Sequence, residues 1–277
     1  MMKSRSMLFV PASSTKMLQK GLQSDADQVI YDLEDSIAVT HKEEARERLG
    51  VFLNENQHDE KKIYIRINER GSAAFEEDLK TISSLSGIHV LLPKANQSDD
   101  IECVNEALGK DHNRSIVPII ETAKGMWHVE EISAVRNVEK LAFGSLDYCL
   151  DLNIDTSPSG TELLYARSRI VLASKVANLA PPIDGVYQDI YNQVGFAHEA
   201  EAGKRLGFQG KLLIHPNQVD QANQCFAPSL SEIDEARSIV EAFKETEKHG
   251  KAAVKVNGKM VDYPVVKRAE RLLQLFG

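Results

Sequence analysis

Short runs of apolar and β-branched residues, each bounded by polar ones, recur along the chain at residues 6–12, 28–35, 62–68, 89–95, 115–121, 140–147, 182–189 and 210–216. Between them lie longer stretches with apolar positions at helical spacing, among them 43–53, 123–135, 161–179 and 197–206. Strands alternating with helices imply a parallel sheet, because each strand must be reached by a crossover. Eight such units predict an α/β fold of the closed (β/α)8 TIM barrel type, with an open doubly wound sheet as the runner-up. Against the open sheet, the first run leads into Pro11-Ala-Ser-Ser-Thr15 rather than a G-x-G-x-x-G turn for a dinucleotide.

After the eighth run the pattern changes. A helix is predicted over 231–249, then two strand-like segments flanking Asn257-Gly258, a pair that favours a two-residue hairpin turn, then an amphipathic helix over 265–276 with Pro264 in its first turn. The expected organisation is a catalytic barrel over 1–225 and a helix, β-hairpin and helix extension over 226–277 acting as a lid.

Composition narrows the function classes. The chain has 277 residues, 42% of them hydrophobic and 27% charged, enough for a sizeable core. A net charge of -8 leaves no electrostatic footprint for nucleic acid or an anionic membrane. Cys103, Cys149 and Cys225 are widely spaced and contain no C-x-x-C pair, so neither a disulfide framework nor a zinc site is indicated. With no apolar stretch of signal or spanning length, the expected compartment is the cytoplasm.

Barrel active sites lie at the carboxyl ends of the strands. Those ends collect Asp32, Glu34 and Asp35, then Arg66, Lys94, Glu121 and Asp147, with Asp184, Asp189 and His215 from the last two units. Acids this dense at one rim repel one another without a cation, so a divalent metal is the economical explanation. Glu121 and Asp147, separated by a βαβ spacing, suit the oxygen ligands of Mg2+; the alternative is that one of them caps the following helix. Arg66 alternates with apolar residues and should point into the barrel mouth, where it suits a substrate carboxylate or an enolate oxygen, or a salt bridge to the second-strand acids. Glu34 and Asp35 suit partners of metal-bound waters, and Asp32 a structural hydrogen-bond partner. Ser13 and Lys16, at the opening of the first helix, suit a phosphate, although N-capping alone explains the serines. Asp262, on the hairpin, suits a proton donor or acceptor.

Taken in order, Arg5-Ser-Met-Leu-Phe-Val-Pro-Ala12, Val29-Ile-Tyr-Asp-Leu-Glu-Asp35, Lys42-Glu-Glu-Ala-Arg46, Ile65-Arg-Ile-Asn68, Leu92-Pro-Lys94, Ile120-Glu-Thr-Ala123, Phe143-Gly-Ser-Leu-Asp147, Ile214-His-Pro-Asn-Gln218 and Gly258-Lys-Met-Val-Asp-Tyr-Pro264 carry a resemblance spanning almost the whole chain. The sequence resembles the CitE-like branch of the HpcH/HpaI aldolase and citrate lyase beta-subunit superfamily. The resemblance implies a (β/α)8 barrel, magnesium held by Glu121 and Asp147, and a substrate-binding Arg66. It also implies a homotrimer or dimer of trimers in which Asp262 reaches a neighbouring active site. The implied reaction is reversible carbon-carbon cleavage of a 3-hydroxyacyl-CoA of the citramalyl, malyl or citryl type to an acyl-CoA and a 2-oxo acid. The alternatives are a beta subunit working inside a citrate lyase complex, a malate-synthase-like or thioesterase activity, and a non-catalytic barrel. The segment after Asp147, Tyr148-Cys-Leu-Asp-Leu-Asn-Ile-Asp-Thr-Ser-Pro158, departs from the glycine-containing stretch common in that family, and it bears on substrate identity.

Overall fold

The computed structural model describes residues 4–56, 63–109, 113–157, 159–250 and 252–276. Lys62, where the third run was expected to open, lies outside them. The chain divides into two compact units, one of them Ser4–Phe226 and the other containing the residues from Ala227 onward.

The first unit is the predicted barrel. Its strands are β1 (Ser6–Pro11), β2 (Gln28–Asp32), β3 (Ile63–Arg66), β4 (His89–Leu92), β5 (Ile116–Ile120), β6 (Ala142–Phe143), β7 (Ile183–Asp184) and β8 (Gly210–Leu213). They pair in sequence order, all parallel, and β8 closes onto β1 through Ser6↔Lys211 and Leu8↔Leu213. The sixth and seventh strands are much shorter than the apolar runs that predicted them. Gly144 turns the chain out of β6 and a helix, Ser145–Leu152, starts at once. Pro181 and Pro182 precede β7 and have no N–H to give to a ladder.

Side-chain parity divides the barrel into two apolar layers. Met7, Ile30, Tyr64, Leu91, Val117, Ile119, Ala142, Ile183 and Leu212 fill the interior. Their neighbours, such as Leu8, Val29, Tyr31, Ile63, Ile65 and Leu213, pack outward in the larger cluster shared with the helices. Toward the amino-terminal ends of the strands the interior is closed by a polar plug. The fully buried Lys140 Nζ donates to Ser4 Oγ (2.8 Å) and Gln28 Oε1 (3.3 Å), pairs with Glu139 (3.1 Å) and lies 5.6 Å from the Tyr64 ring centre. Satisfying that ammonium on several sides is what allows it to sit in a core.

The same parity corrects the placing of Asp184. Ile183 points inward, so Asp184 points outward to the helices Leu164–Val176 and Gln193–Leu206, away from the barrel mouth. There it is wholly buried between Arg167 (2.9 Å) and Lys211 (3.5 Å), and Glu199 also contacts Lys211 (2.6 Å). Burial pushes its carboxyl up, but the two cations overcome this and hold it below the ordinary range.

The second unit is built from a helix, Leu230–Lys248, the hairpin of β9 (Val254–Val256) and β10 (Lys259–Val261), and a final helix, Tyr263–Phe276. Ser229 and Glu232 form a reciprocal cap on the first helix. Asn257 (φ 49°) and Gly258 (φ 80°) are both left-handed, as a tight hairpin turn of matching twist requires. Phe243, Val261 and Val266 form one of its small cores. Among the described residues no helix is long and apolar enough to cross a membrane.

Removing Asp184 leaves the buried Arg167 and Lys211 to share the partly exposed Glu199. Asp184→Ala is expected to lower the unfolding free energy by about 3–5 kcal/mol, read by urea denaturation followed by circular dichroism. An unchanged midpoint would show that water replaces the carboxylate at no loss.

Candidate active site

Four elements deliver the polar groups of one cavity, of about 410 Å3, at the carboxyl ends of the strands. Its lining includes Asp32, Asp35, Arg66, Glu121 and Asp147 together with Phe9, Ile119, Phe143, Val186, Leu212 and Ile214. Val117, Ile119 and Glu121 share a parity, so Glu121 is the next inward residue beyond the barrel's apolar filling. It does not cap a helix. That role falls to Thr122, whose hydroxyl accepts from Gly125 N.

Glu121 is 4% exposed, and its Oε1 accepts the backbone N–H of Lys94 (2.7 Å). Lys94 adopts φ 46°, a left-handed conformation unusual for a residue with a side chain, and this turn is where its amide meets the carboxylate. Gly144 lies against the other side of the carboxylate. A Cβ there would stand 2.1 Å from Glu121 Oε2, so only glycine fits. Burial pushes the Glu121 carboxyl up to about 8; Asp147 and Glu34 add to the effect, while the Lys94 amide and Arg66 oppose it.

Asp147 was expected at the end of a strand. It stands instead in the first turn of the helix Ser145–Leu152, partly buried and lining the cavity, because Gly144 has already ended β6. A carboxylate in a first helical turn also meets the positive end of the helix dipole.

Arg66 is both a cavity wall and an ion-pair partner. Its Nε and one terminal nitrogen form a fork on Asp32 (2.7 and 2.8 Å), the other terminal nitrogen reaches Glu34 Oε2 (3.0 Å), and the guanidinium lies 4.6 Å from the Phe9 ring centre. Asp32 is 1% exposed and also accepts the amides of Glu34 (2.9 Å) and Ser36 (3.1 Å). Burial alone raises its pKa, yet the fork overcomes this and holds it below the usual carboxylate range. Glu34 keeps a raised pKa because burial outweighs Arg66 and the Lys94 ammonium, 3.1 Å away. Asp35 is mostly exposed, 3.6 Å from Arg66.

Other predicted residues fall elsewhere. Ser14, not Ser13, caps the helix Thr15–Leu22; Ser13 and Lys16 are exposed and stand outside the lining of the main cavity, with Ser13 on a smaller cleft beside Ser36, His41 and Arg48. His215 caps the short turn Pro216–Gln218, its Nδ1 accepting from Asn217 N, and Asp189 accepts from Tyr191 N. Asp262 lies in the second unit, exposed, where its Oδ1 accepts from Val265 N (3.4 Å) at the start of the last helix. Sequence reasoning missed the parts played by Gly144 and the Lys94 backbone. The motifs that contain them were visible, but contacts across strands were not.

Among the described residues no group of three or more His, Cys, Asp or Glu is placed to hold a metal. Glu121 and Asp147 offer two carboxylates on one cavity, a donor set that suits a hard cation completing its shell with water and ligand oxygens.

A parallel barrel with two convergent carboxylates and a buried arginine at its mouth defines an acid-lined α/β barrel of the enzyme type. The chain belongs to the HpcH/HpaI aldolase/citrate lyase family, whose model matches residues 5–216. It is 35% identical to the citrate lyase subunit beta of Escherichia coli, over 97% of this chain and 92% of that protein. It is 32% identical to a (3S)-malyl-CoA thioesterase of Cereibacter sphaeroides, over 93% of this chain and 89% of that one. Among solved structures, CitE from Mycobacterium tuberculosis in complex with magnesium, acetoacetate and coenzyme A superposes with a TM-score of 0.82 at 28% identity, covering 97% of this chain and 96% of that one.

The raised Glu121 pKa has a consequence for stability. In metal-free protein its contribution is fully present below the ordinary 4.5, and it is lost as pH rises to about 8. With chelator present, Glu121→Gln is therefore expected to become more stable than wild type by a few kcal/mol at pH 8–9 while matching it near pH 4.5. Parallel pH profiles of the melting temperature for the two proteins would contradict the burial argument.

Proposed function

We propose that this chain is a magnesium-dependent lyase that reversibly cleaves the carbon-carbon bond of a 3-hydroxyacyl-CoA, of the citramalyl, malyl or citryl type, to an acyl-CoA and a 2-oxo acid. The observation that carries this reading is the convergence of Glu121, Asp147 and Arg66 on one barrel-mouth cavity. The relative solved with magnesium, acetoacetate and coenzyme A supports it.

Glu121 and Asp147 would hold the ion. Magnesium supplies a Lewis acid for the oxygens of an α-hydroxy or α-oxo acid. The remaining work falls to the chain's own groups. In cleavage the hydroxyl gives up its proton to water, its oxygen becomes the oxo group, and the carbon-carbon bond electrons pass to the thioester α-carbon. Arg66, fixed by Asp32, is positioned to stabilise the negative charge on the thioester oxygen or the substrate carboxylate. Glu34 and Asp35 hold Arg66 and the cavity's edge, and Asp262 is the proton donor to the α-carbon, expected to come from a neighbouring copy in a homotrimer or dimer of trimers. Hydrolysis is the second reading, favoured by the relative named a thioesterase. A citrate lyase beta subunit inside a complex is the third.

Incubating purified protein and magnesium with citramalyl-, malyl- and citryl-CoA separates the first two readings. Release of a 2-oxo acid with an acyl-CoA supports the lyase, whereas free CoA with an intact hydroxy acid identifies a hydrolase. Glu121→Gln and Asp147→Asn are each expected to weaken magnesium binding in calorimetry and to abolish turnover; wild-type affinity in either variant removes that residue from the metal site. Arg66→Lys should lose on the order of tenfold or more in kcat/KM, because an ammonium cannot reproduce the planar fork. Unchanged kinetics would leave Arg66 a structural ion pair.

For Asp262, the Asn variant is expected to bind magnesium and oxo acid normally but turn over far more slowly. Mixing Asp262→Asn with Glu121→Gln subunits should recover some activity. Mixed oligomers that form and stay inactive would exclude a donor shared between subunits.

A further inference from the structure

Glu121, Asp147 and Arg66 account for the oxygens of a 2-oxo acid and leave open the group on the other side of its oxo carbon. The charges around the cavity bear on that group. Among the described residues, four carboxylates line it, Asp32, Asp35, Glu121 and Asp147, against one lining cation, Arg66. Arg66 is already forked onto Asp32 and bonded to Glu34. The nearby Lys94 ammonium is turned onto Glu34 (3.1 Å) and Glu69 (3.5 Å), and Lys94 is not part of the lining. Ser36 and Ser145 supply lining hydroxyls, which hydrogen-bond without neutralising.

The remaining walls are apolar. Ile119 and Leu212 close the floor, being the outermost members of the barrel's interior cluster, and Val186 packs against that cluster at the cavity's side. A divalent ion held by Glu121 and Asp147 would offset two of the four negative charges and would be taken up by the oxo acid itself. Among the described residues lining the cavity, a second carboxylate on the substituent would then face aliphatic side chains and acids, with Arg66 already committed to Asp32 and Glu34. A hydrogen or methyl group meets no such penalty, and burying a methyl favours binding by about fourfold.

We propose that this cavity selects a 2-oxo acid with a small uncharged substituent, of the glyoxylate or pyruvate kind, and rejects one with a second carboxylate, with Ile119, Val186 and Leu212 as the specificity-determining residues. The acyl-CoA it cleaves then carries one free carboxylate, on the hydroxyl-bearing carbon. This rests on the lyase reading for the reaction, but selection between acids is a property of binding and is measured without turnover.

The test is calorimetric titration of magnesium-loaded protein with pyruvate, 2-oxobutyrate and freshly prepared oxaloacetate, with 2-oxobutyrate separating size from charge. Pyruvate is expected to bind at least tenfold more tightly than oxaloacetate, with 2-oxobutyrate within about tenfold of pyruvate. Val186→Lys, which adds a cation at a partly buried wall, should move the oxaloacetate-to-pyruvate affinity ratio by about tenfold toward oxaloacetate. Oxaloacetate bound as tightly as pyruvate by wild type overturns the proposal, as does failure of all three acids to bind. Binding in the expected order with no condensation of pyruvate and acetyl-CoA would leave the selection standing and count against the lyase reading.

Discussion

Taking a glutamate carboxyl out of water at the mouth of a barrel constrains everything that touches it. Glu121 is nearly inaccessible, and its carboxylate accepts a backbone N–H where Asp32 has the fork of an arginine. To bring that amide into line, Lys94 adopts a left-handed backbone, and to leave room on the other side, position 144 has no Cβ. Local strain and a sterically compelled glycine, on two different strands' ends, thus serve a single oxygen pair. Burial, with Asp147 and Glu34 nearby, still pushes the carboxyl up to about 8, because the Lys94 amide and Arg66 offset only part of the cost of taking its charge out of water.

The acids around it are sorted by their partners. Asp32 keeps its charge at almost complete burial because a planar fork and two amides satisfy its lone pairs. Asp184 keeps its charge for the same kind of reason on the opposite face of the sheet, between Arg167 and Lys211. The two residues are chemically identical and both come from strand ends. One turns toward the cavity and the other toward the helices, so one bears on the chemistry of the site and the other on the stability of the barrel.

Membership in a family whose relatives include both a citrate lyase subunit and a thioesterase fits a site of this construction. In the proposed reading, the carboxylates hold the metal and the arginine meets the oxo acid. The aliphatic floor and the commitment of Arg66 to Asp32 and Glu34 are where, in the proposed selection, one member differs from another.

Periodicity along the chain, short of the closure through β8 and β1 that the tertiary structure adds, favoured the closed barrel over an open sheet, since eight apolar runs separated by helical spacing leave few ways to bury both faces of a parallel sheet. It also determined the parity of β3, which carries Arg66 into the same interior as Tyr64, and the hairpin turn at Asn257-Gly258. Parity failed at the seventh strand, where an apolar run flanked by prolines gives no sign of which residue begins the two-residue strand, and so Asp184 was placed on the wrong face. The position of Asp147 in a helix, the left-handed turn at Lys94, the glycine required at 144 and the capping roles of Ser14 and His215 were decided only by the tertiary structure. Each depends on groups brought close by strand pairing and crossover packing from distant parts of the chain, or on a backbone torsion that side-chain identity leaves open. Local sequence reports the period of a strand or helix, whereas the contact that makes a residue functional is set by its neighbour across the sheet.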